Sequence, residues 1–202
     1  MAQSNDETVV FGSGGPKMII VMGVSGSGKS TTAQNLARAL NVPFEDGDDL
    51  HPPENVAKMS RGEPLTDADR APWLKLIRER GTELTQREGK STVVIACAAT
   101  TVLYHPEEHS GHQEETTNVE TYVANTTPPL KTYFVFIKGR PEVILDRMQK
   151  RKGHFMKASM LESQLATLED PTGEDGVVVV DLEANPEEQC KQAVEGLKSL
   201  GS

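Results

Sequence analysis

The chain has 202 residues, 36% of them apolar and 25% charged, which suits one packed domain with room for an appended lobe. Lys and Arg number 21 against 30 Asp and Glu, and a formal charge of −9 argues against binding to nucleic acid or an anionic membrane surface. The longest apolar run, Val93–Ala99, falls far short of the roughly 18 residues that a membrane helix needs, as does Val177–Val180.

Met1–Val10 carries no Lys or Arg and leads into no apolar signal core, and the two cysteines, Cys97 and Cys190, suit a reducing compartment. A cytoplasmic protein is therefore expected. Residues 1–17, polar and then Gly-rich, read as a flexible leader to one domain over 18–202. Met18–Met22 is a continuous apolar run of the kind that a doubly covered parallel strand shows. A Gly-rich turn follows, then Lys29–Leu40 with Ala33, Leu36, Ala37 and Leu40 at helical spacing. Val42–Asp46 reads as a second strand and Asn55–Met59 as a short helix. Thr66 suits the N-cap of a longer helix to about Glu88. Strands are expected over Ser91–Ala99, Thr132–Lys138 and Val177–Asp181, and helices from Pro141, over Ser159–Glu169 and over Pro186–Leu200. Strands separated by helices predict βαβ units, a parallel sheet and an α/β fold. Between Lys90 and Lys131 there is no Lys or Arg, and 105–129 reads as a long acidic loop.

Gly23-Val-Ser-Gly-Ser-Gly-Lys-Ser30 satisfies G-x-x-x-x-G-K-[ST], after an apolar strand and before a helix, where a phosphate loop has to be. Glycines let the backbone curl so that the N–H groups of Gly23, Val24, Ser25, Gly26, Ser27, Gly28, Lys29, Ser30 and Thr31 can line a nest for phosphate oxygens of ATP. Lys29 would reach the β- and γ-phosphates and Ser30 would ligate Mg²⁺. Asp46-Gly-Asp48 ends the second strand, where residues two apart point the same way. One carboxylate would hold Mg²⁺ through water, and the other would accept a substrate hydroxyl proton. An acidic turn is the alternative.

His51, Lys58 and Arg70 each read alone as surface groups. Together with the carboxylates they would recognise an anionic, polyhydroxylated substrate. Arg147-Met-Gln-Lys-Arg-Lys-Gly-His-Phe155 concentrates cations at a helix end, either complementing the helix dipole or forming a lid near 150–160 over the transferring phosphoryl group. Asp181 reads as the end of a core strand in preference to a metal ligand. His105, His109 and His112, among glutamates, read as a solvated loop in preference to a zinc site.

With these residues in view the sequence resembles the small P-loop gluconokinases, and more distantly shikimate and adenylate kinases. The resemblance runs through Met22–Ser30, Asp46-Gly-Asp-Asp-Leu-His-Pro52, Asn55-Val-Ala-Lys-Met59, Gly62-Glu-Pro-Leu65, Asp69-Arg-Ala-Pro-Trp-Leu74 and Arg151-Lys-Gly-His-Phe155 to Gln164. It covers roughly 17–98 and 130–200. It implies a three-layer α/β/α fold with a five-stranded parallel sheet and a helical lid, and ATP- and Mg²⁺-dependent phosphorylation of D-gluconate. A kinase of another small anionic acceptor, or a nucleotide-binding homologue with impaired turnover, is the alternative. It further implies Asp48, His51, Lys58, Arg70, His154 and Gln164 around the acceptor, Lys29, Arg147 and Arg151 on phosphate, and Ser30 and Asp46 on the metal. A homodimer is left open. The family's Lys and Arg after the third strand fall on Thr101 and His105, so two cations expected near the substrate are missing.

Overall fold

β1 (Lys17–Met22) lies at the centre of a five-stranded parallel sheet, and its residues Met18 to Met22 are at most 3% exposed. The computed structural model describes residues 15–87, 91–98, 130–150 and 158–201. The other strands are β2 (Phe44–Asp46), β3 (Thr92–Cys97), β4 (Lys131–Lys138) and β5 (Val177–Asp181), in the spatial order β2-β3-β1-β4-β5. Lys17 pairs with Thr92 on one side and Lys131 on the other, which puts it inside the sheet and not in the leader. Residues 1–14 and the acidic stretch 105–129 fall outside the described residues.

Strand side chains alternate between faces, so β1 feeds two cores. Ile19 and Val21 pack with Ala33, Leu36, Val135 and Ile137 under α1 (Lys29–Leu40) and the final helix. Met18, Ile20 and Met22 pack with Trp73, Ile77, Phe134 and Phe136 on the opposite face. α2 (Pro53–Ser60) begins two residues earlier than expected because Pro53 suits a first helical position, whose N–H needs no partner. α3 (Asp67–Gln86) starts at a complete capping box: Thr66 Oγ1 accepts from the Asp69 N–H, and Asp69 Oδ2 accepts from the Thr66 N–H. α4 (Pro141–Lys150), α5 (Ala158–Thr167) and α6 (Pro186–Leu200) complete the layers.

β2 starts at Phe44 and not at Val42. Asn41, at φ 52°, ends α1 in the left-handed region, and the Val42 N–H still serves that helix by donating to Ala37 O at 3.0 Å. No helix among the described residues is long and apolar enough to cross a membrane. Because all five strands are parallel, the residues that leave their C-terminal ends share one edge of the sheet, where ligands of open α/β folds bind.

Candidate active site

The loop between β1 and α1 carries Gly23, Gly26 and Gly28, all at positive φ. Gly26 has a second reason to lack a side chain: a Cβ there would lie 2.6 Å from Met148 Cγ, because α4 packs down on the loop. The Ser27 N–H turns back to Val24 O at 3.2 Å. Val24, Ser25, Ser27 and Lys29 are buried, Ser30 is half-buried and Thr31 is exposed. Ser27 Oγ is buried without a hydrogen-bond partner. Lys29 is only 6% exposed, and no described residue bonds its ammonium.

Distant residues hold this loop and its helix. Ser25 N–H donates to Gln164 Oε1 of α5 at 2.7 Å. Thr32 Oγ1 donates to Gln189 Oε1 at 2.6 Å, and Gln189 Nε2 donates to the Asp181 and Leu182 carbonyls at 2.9 and 3.1 Å. Gln189 thereby fastens α1 to the end of β5. Arg147 Nη2 donates to Leu182 O at 2.8 Å, which places this guanidinium against the residue that follows β5. One of its five N–H donors is used there. Asp181 Oδ1 accepts from the Glu183 N–H at 2.8 Å, so this carboxylate caps the turn after its strand.

The acidic pair departs from the expected geometry. β2 ends at Asp46, and Gly47–Leu50 form a short 3-10 turn, so the two carboxylates do not share one side of a strand. Asp46 caps that turn instead, its Oδ1 accepting from the Asp48 N–H at 3.1 Å. The turn is wedged in place at Gly47, where a Cβ would stand 2.7 Å from Ala96 O. Trp73 Nε1 donates to the Gly47 carbonyl at 2.7 Å. Asp48 is exposed and Asp46 half-buried. With β3 between β2 and β1, Asp46 and the start of the phosphate loop are about two strand spacings apart, roughly 10 Å.

Beyond the turn, His51 stacks on Trp73 with ring centroids 4.0 Å apart. Burial pushes the His51 pKa down, while the nearby Asp48 charge pulls it up. Lys58 Nζ donates to Asp69 Oδ2 at 2.6 Å, and Arg70 Nη1 donates to Asp67 Oδ1 at 2.7 Å. The Lys58 ammonium, with the Thr66 hydroxyl and N–H, holds the Asp69 carboxyl well below the usual carboxylate range. Both cations assigned to the acceptor thus carry an acidic partner. The structure sets Asp46, Asp48, His51, Lys58 and Arg70 along the 3-10 turn, α2 and the start of α3. It sets Gln164 on the phosphate loop instead. Arg151 and His154, with Thr101, His105 and the remaining histidines, lie outside the described residues.

Three residues that the sequence reading gave no role belong to this framework: Asn55, Asp69 and Trp73. All three fall inside the motifs that carry the resemblance, which was the available signal. Gln189 had none.

The Lys29 ammonium, on a side chain only 6% exposed and bonded by no described residue, and the unpartnered Ser27 hydroxyl fit a polyphosphate held over the loop. Ser30 and Asp46 offer the hard oxygen donors that Mg²⁺ takes alongside phosphate oxygens.

Residues 19–170 match the model of a family described as an AAA domain. The chain is 43% identical over 172 residues to a gluconokinase of Gluconobacter oxydans (strain 621H), covering 85% of this chain and 86% of that protein. It is 38% identical over 179 residues to the thermosensitive gluconokinase of Escherichia coli (strain K12), covering 87% and 86%. The crystal structure of a gluconokinase from Sinorhizobium meliloti 1021 aligns with a TM-score of 0.72 at 42% identity, over 92% of this chain and 94% of that one.

Proposed function

The chain belongs to the gluconokinase family, and on that footing we propose that it transfers the γ-phosphoryl group of ATP to the terminal hydroxyl of D-gluconate. The products are 6-phospho-D-gluconate and ADP. The observation that carries this reading furthest is Lys29, only 6% exposed at the start of α1, whose ammonium no described residue neutralises. The loop N–H groups and the α1 N-terminus cradle the β- and γ-phosphates, and Lys29 offsets their charge. Ser30 would hold Mg²⁺ directly and Asp46 through water, and the ion when bound would draw electron density from the phosphate oxygens.

Asp48, exposed on the turn after β2, accepts the proton as the acceptor oxygen attacks the γ-phosphorus. His51, Lys58, Arg70 and His154 surround the acceptor. Gln164 supports the phosphate loop from the other side. Arg147 and Arg151 supply further positive charge to the transferring group. The reaction takes place in the cytoplasm.

The test is ADP release measured with gluconate, shikimate and nucleoside monophosphates in turn. Release that depends on gluconate is expected. Equal or faster release with another acceptor would move the assignment to that acceptor, and ATP binding without any acceptor-dependent release would reduce the protein to a nucleotide binder.

A further inference from the structure

His51 is the only imidazole among the described residues, and its ring has little freedom. It lies at 15° to the Trp73 indole, and Trp73 is 2% exposed and tied to the Gly47 carbonyl. Beside it sits Asn55, 5% exposed on the first turn of α2. Asn55 Nδ2 donates to the Asp69 main-chain carbonyl at 2.8 Å. A carbonyl can only accept, so this bond settles which end of the amide is NH₂. The same nitrogen stands 3.5 Å from His51 Nδ1 with its second N–H to give.

An amide nitrogen has no lone pair to offer, so the contact is attractive only when Nδ1 is bare. The ring proton then belongs on Nε2, which bonds no described residue. The charge that acts on the ring is Asp48 on the preceding turn, and Asp69, whose main-chain carbonyl takes the Asn55 amide, has its carboxylate paired with Lys58.

We propose that Asn55 is a positioning residue that holds His51 as the neutral Nε2–H tautomer, so that an acceptor oxygen meets a single uncharged donor beside Asp48. A cationic ring in that place would engage Asp48 as an ion-pair partner and weaken it as a proton acceptor. The donor role rests on the gluconate phosphorylation proposed above. The tautomer follows from the hydrogen-bond accounting alone.

The experiment is two-bond ¹H–¹⁵N correlation of the ring nitrogens in the uniformly ¹⁵N-labelled full chain at pH 7, with His51→Gln identifying the signals among five histidines. The substrate-free parent is expected to show a protonated Nε2 and a bare Nδ1. Asn55→Leu should mix the tautomers, let the ring titrate closer to the ordinary value near 6.5, and raise KM for gluconate about 2–10-fold with a smaller effect on kcat. An imidazolium or an Nδ1–H ring in the parent overturns the proposal whether or not the variant folds. A folded variant with the parental ring pattern overturns Asn55 as the cause. Gluconate should shift the Nε2 signal. An unresponsive Nε2–H ring overturns the donor role while leaving the tautomer standing, and ADP release reports separately on phosphoryl transfer.

Discussion

At the phosphate loop the polar groups that count have no described partners, as the Lys29 ammonium and the buried Ser27 Oγ show, whereas along α2 and α3 the cations Lys58 and Arg70 already hold Asp69 and Asp67. The first arrangement is incomplete until a strongly anionic group arrives. The second is complete in itself, and an acceptor carboxylate must exchange with, or share, a cation that has a partner. The Lys58–Asp69 side chains are 26% and 28% exposed, and pairs that solvent reaches contribute little net stability, so the exchange is inexpensive. Affinity for phosphate is therefore built into the backbone and one lysine. Affinity for the acceptor is distributed over replaceable contacts.

The largest effect should come where the two regions meet the reacting hydroxyl. Asp48→Asn, nearly isosteric but unable to take the proton, should lower kcat about 10²–10⁴-fold with ATP affinity unchanged. Titration of ATP binding beside single-turnover rates checks this, and a collapse of ATP affinity would move Asp48 to the phosphate side. Lys29→Ala should lower kcat about 10²–10³-fold, since it removes charge stabilisation aimed at the transferring group. A variant with parental turnover would sink the phosphate-loop assignment.

The acceptor side should respond to added charge as the loop does not. Thr101→Lys with His105→Arg restores the family's two cations, and one charge-assisted contact is equivalent to about 10–150-fold in affinity. KM for gluconate should fall while KM for ATP stays put. A parent already as efficient as the double variant would show that other residues supply the charge.

Gln164→Leu should act in the opposite sense, raising KM for ATP about 2–10-fold through loss of one neutral hydrogen bond to the Ser25 N–H. An effect confined to gluconate would return Gln164 to the acceptor group.

The smallest effect is expected at the cap of α3, where Thr66→Ala should lower unfolding stability by about 1 kcal/mol at neutral pH. Thr66 and Lys58 hold Asp69 well below its unfolded pKa of about 3.9, so their contribution is full above that value and is lost as pH falls from there through the depressed folded pKa. Denaturant melts at pH 7 and pH 3 should show the gap between parent and variant narrowing.

Much of this was legible in the chain because its cause is local. The Gly23–Ser30 loop needs glycines at positive φ beside a helix start, and those residues are consecutive. Thr66 and Asp69 announce the start of α3 within four residues, and the unbroken apolar run of β1 predicts a strand covered on both faces. The alternation within β1 even assigns Ile19 and Val21 to one core and Met18, Ile20 and Met22 to the other, although not which helices cover them.

The acidic pair shows where such reading fails. Asp46-Gly-Asp48 is compatible with a strand or a turn, and the choice is made elsewhere: Ala96 O leaves no room at Gly47, and Trp73 takes the Gly47 carbonyl out of the ladder. Ser25 meets Gln164 across 139 residues, and Lys58 meets Asp69 across 11. Motif, helix start and strand period were set by neighbours in the chain. Strand order, the turn at Gly47, the ion pairs that occupy the acceptor's cations and the transfer of Gln164 to the phosphate loop were decided by tertiary structure, because each depends on groups that meet only once the sheet has formed.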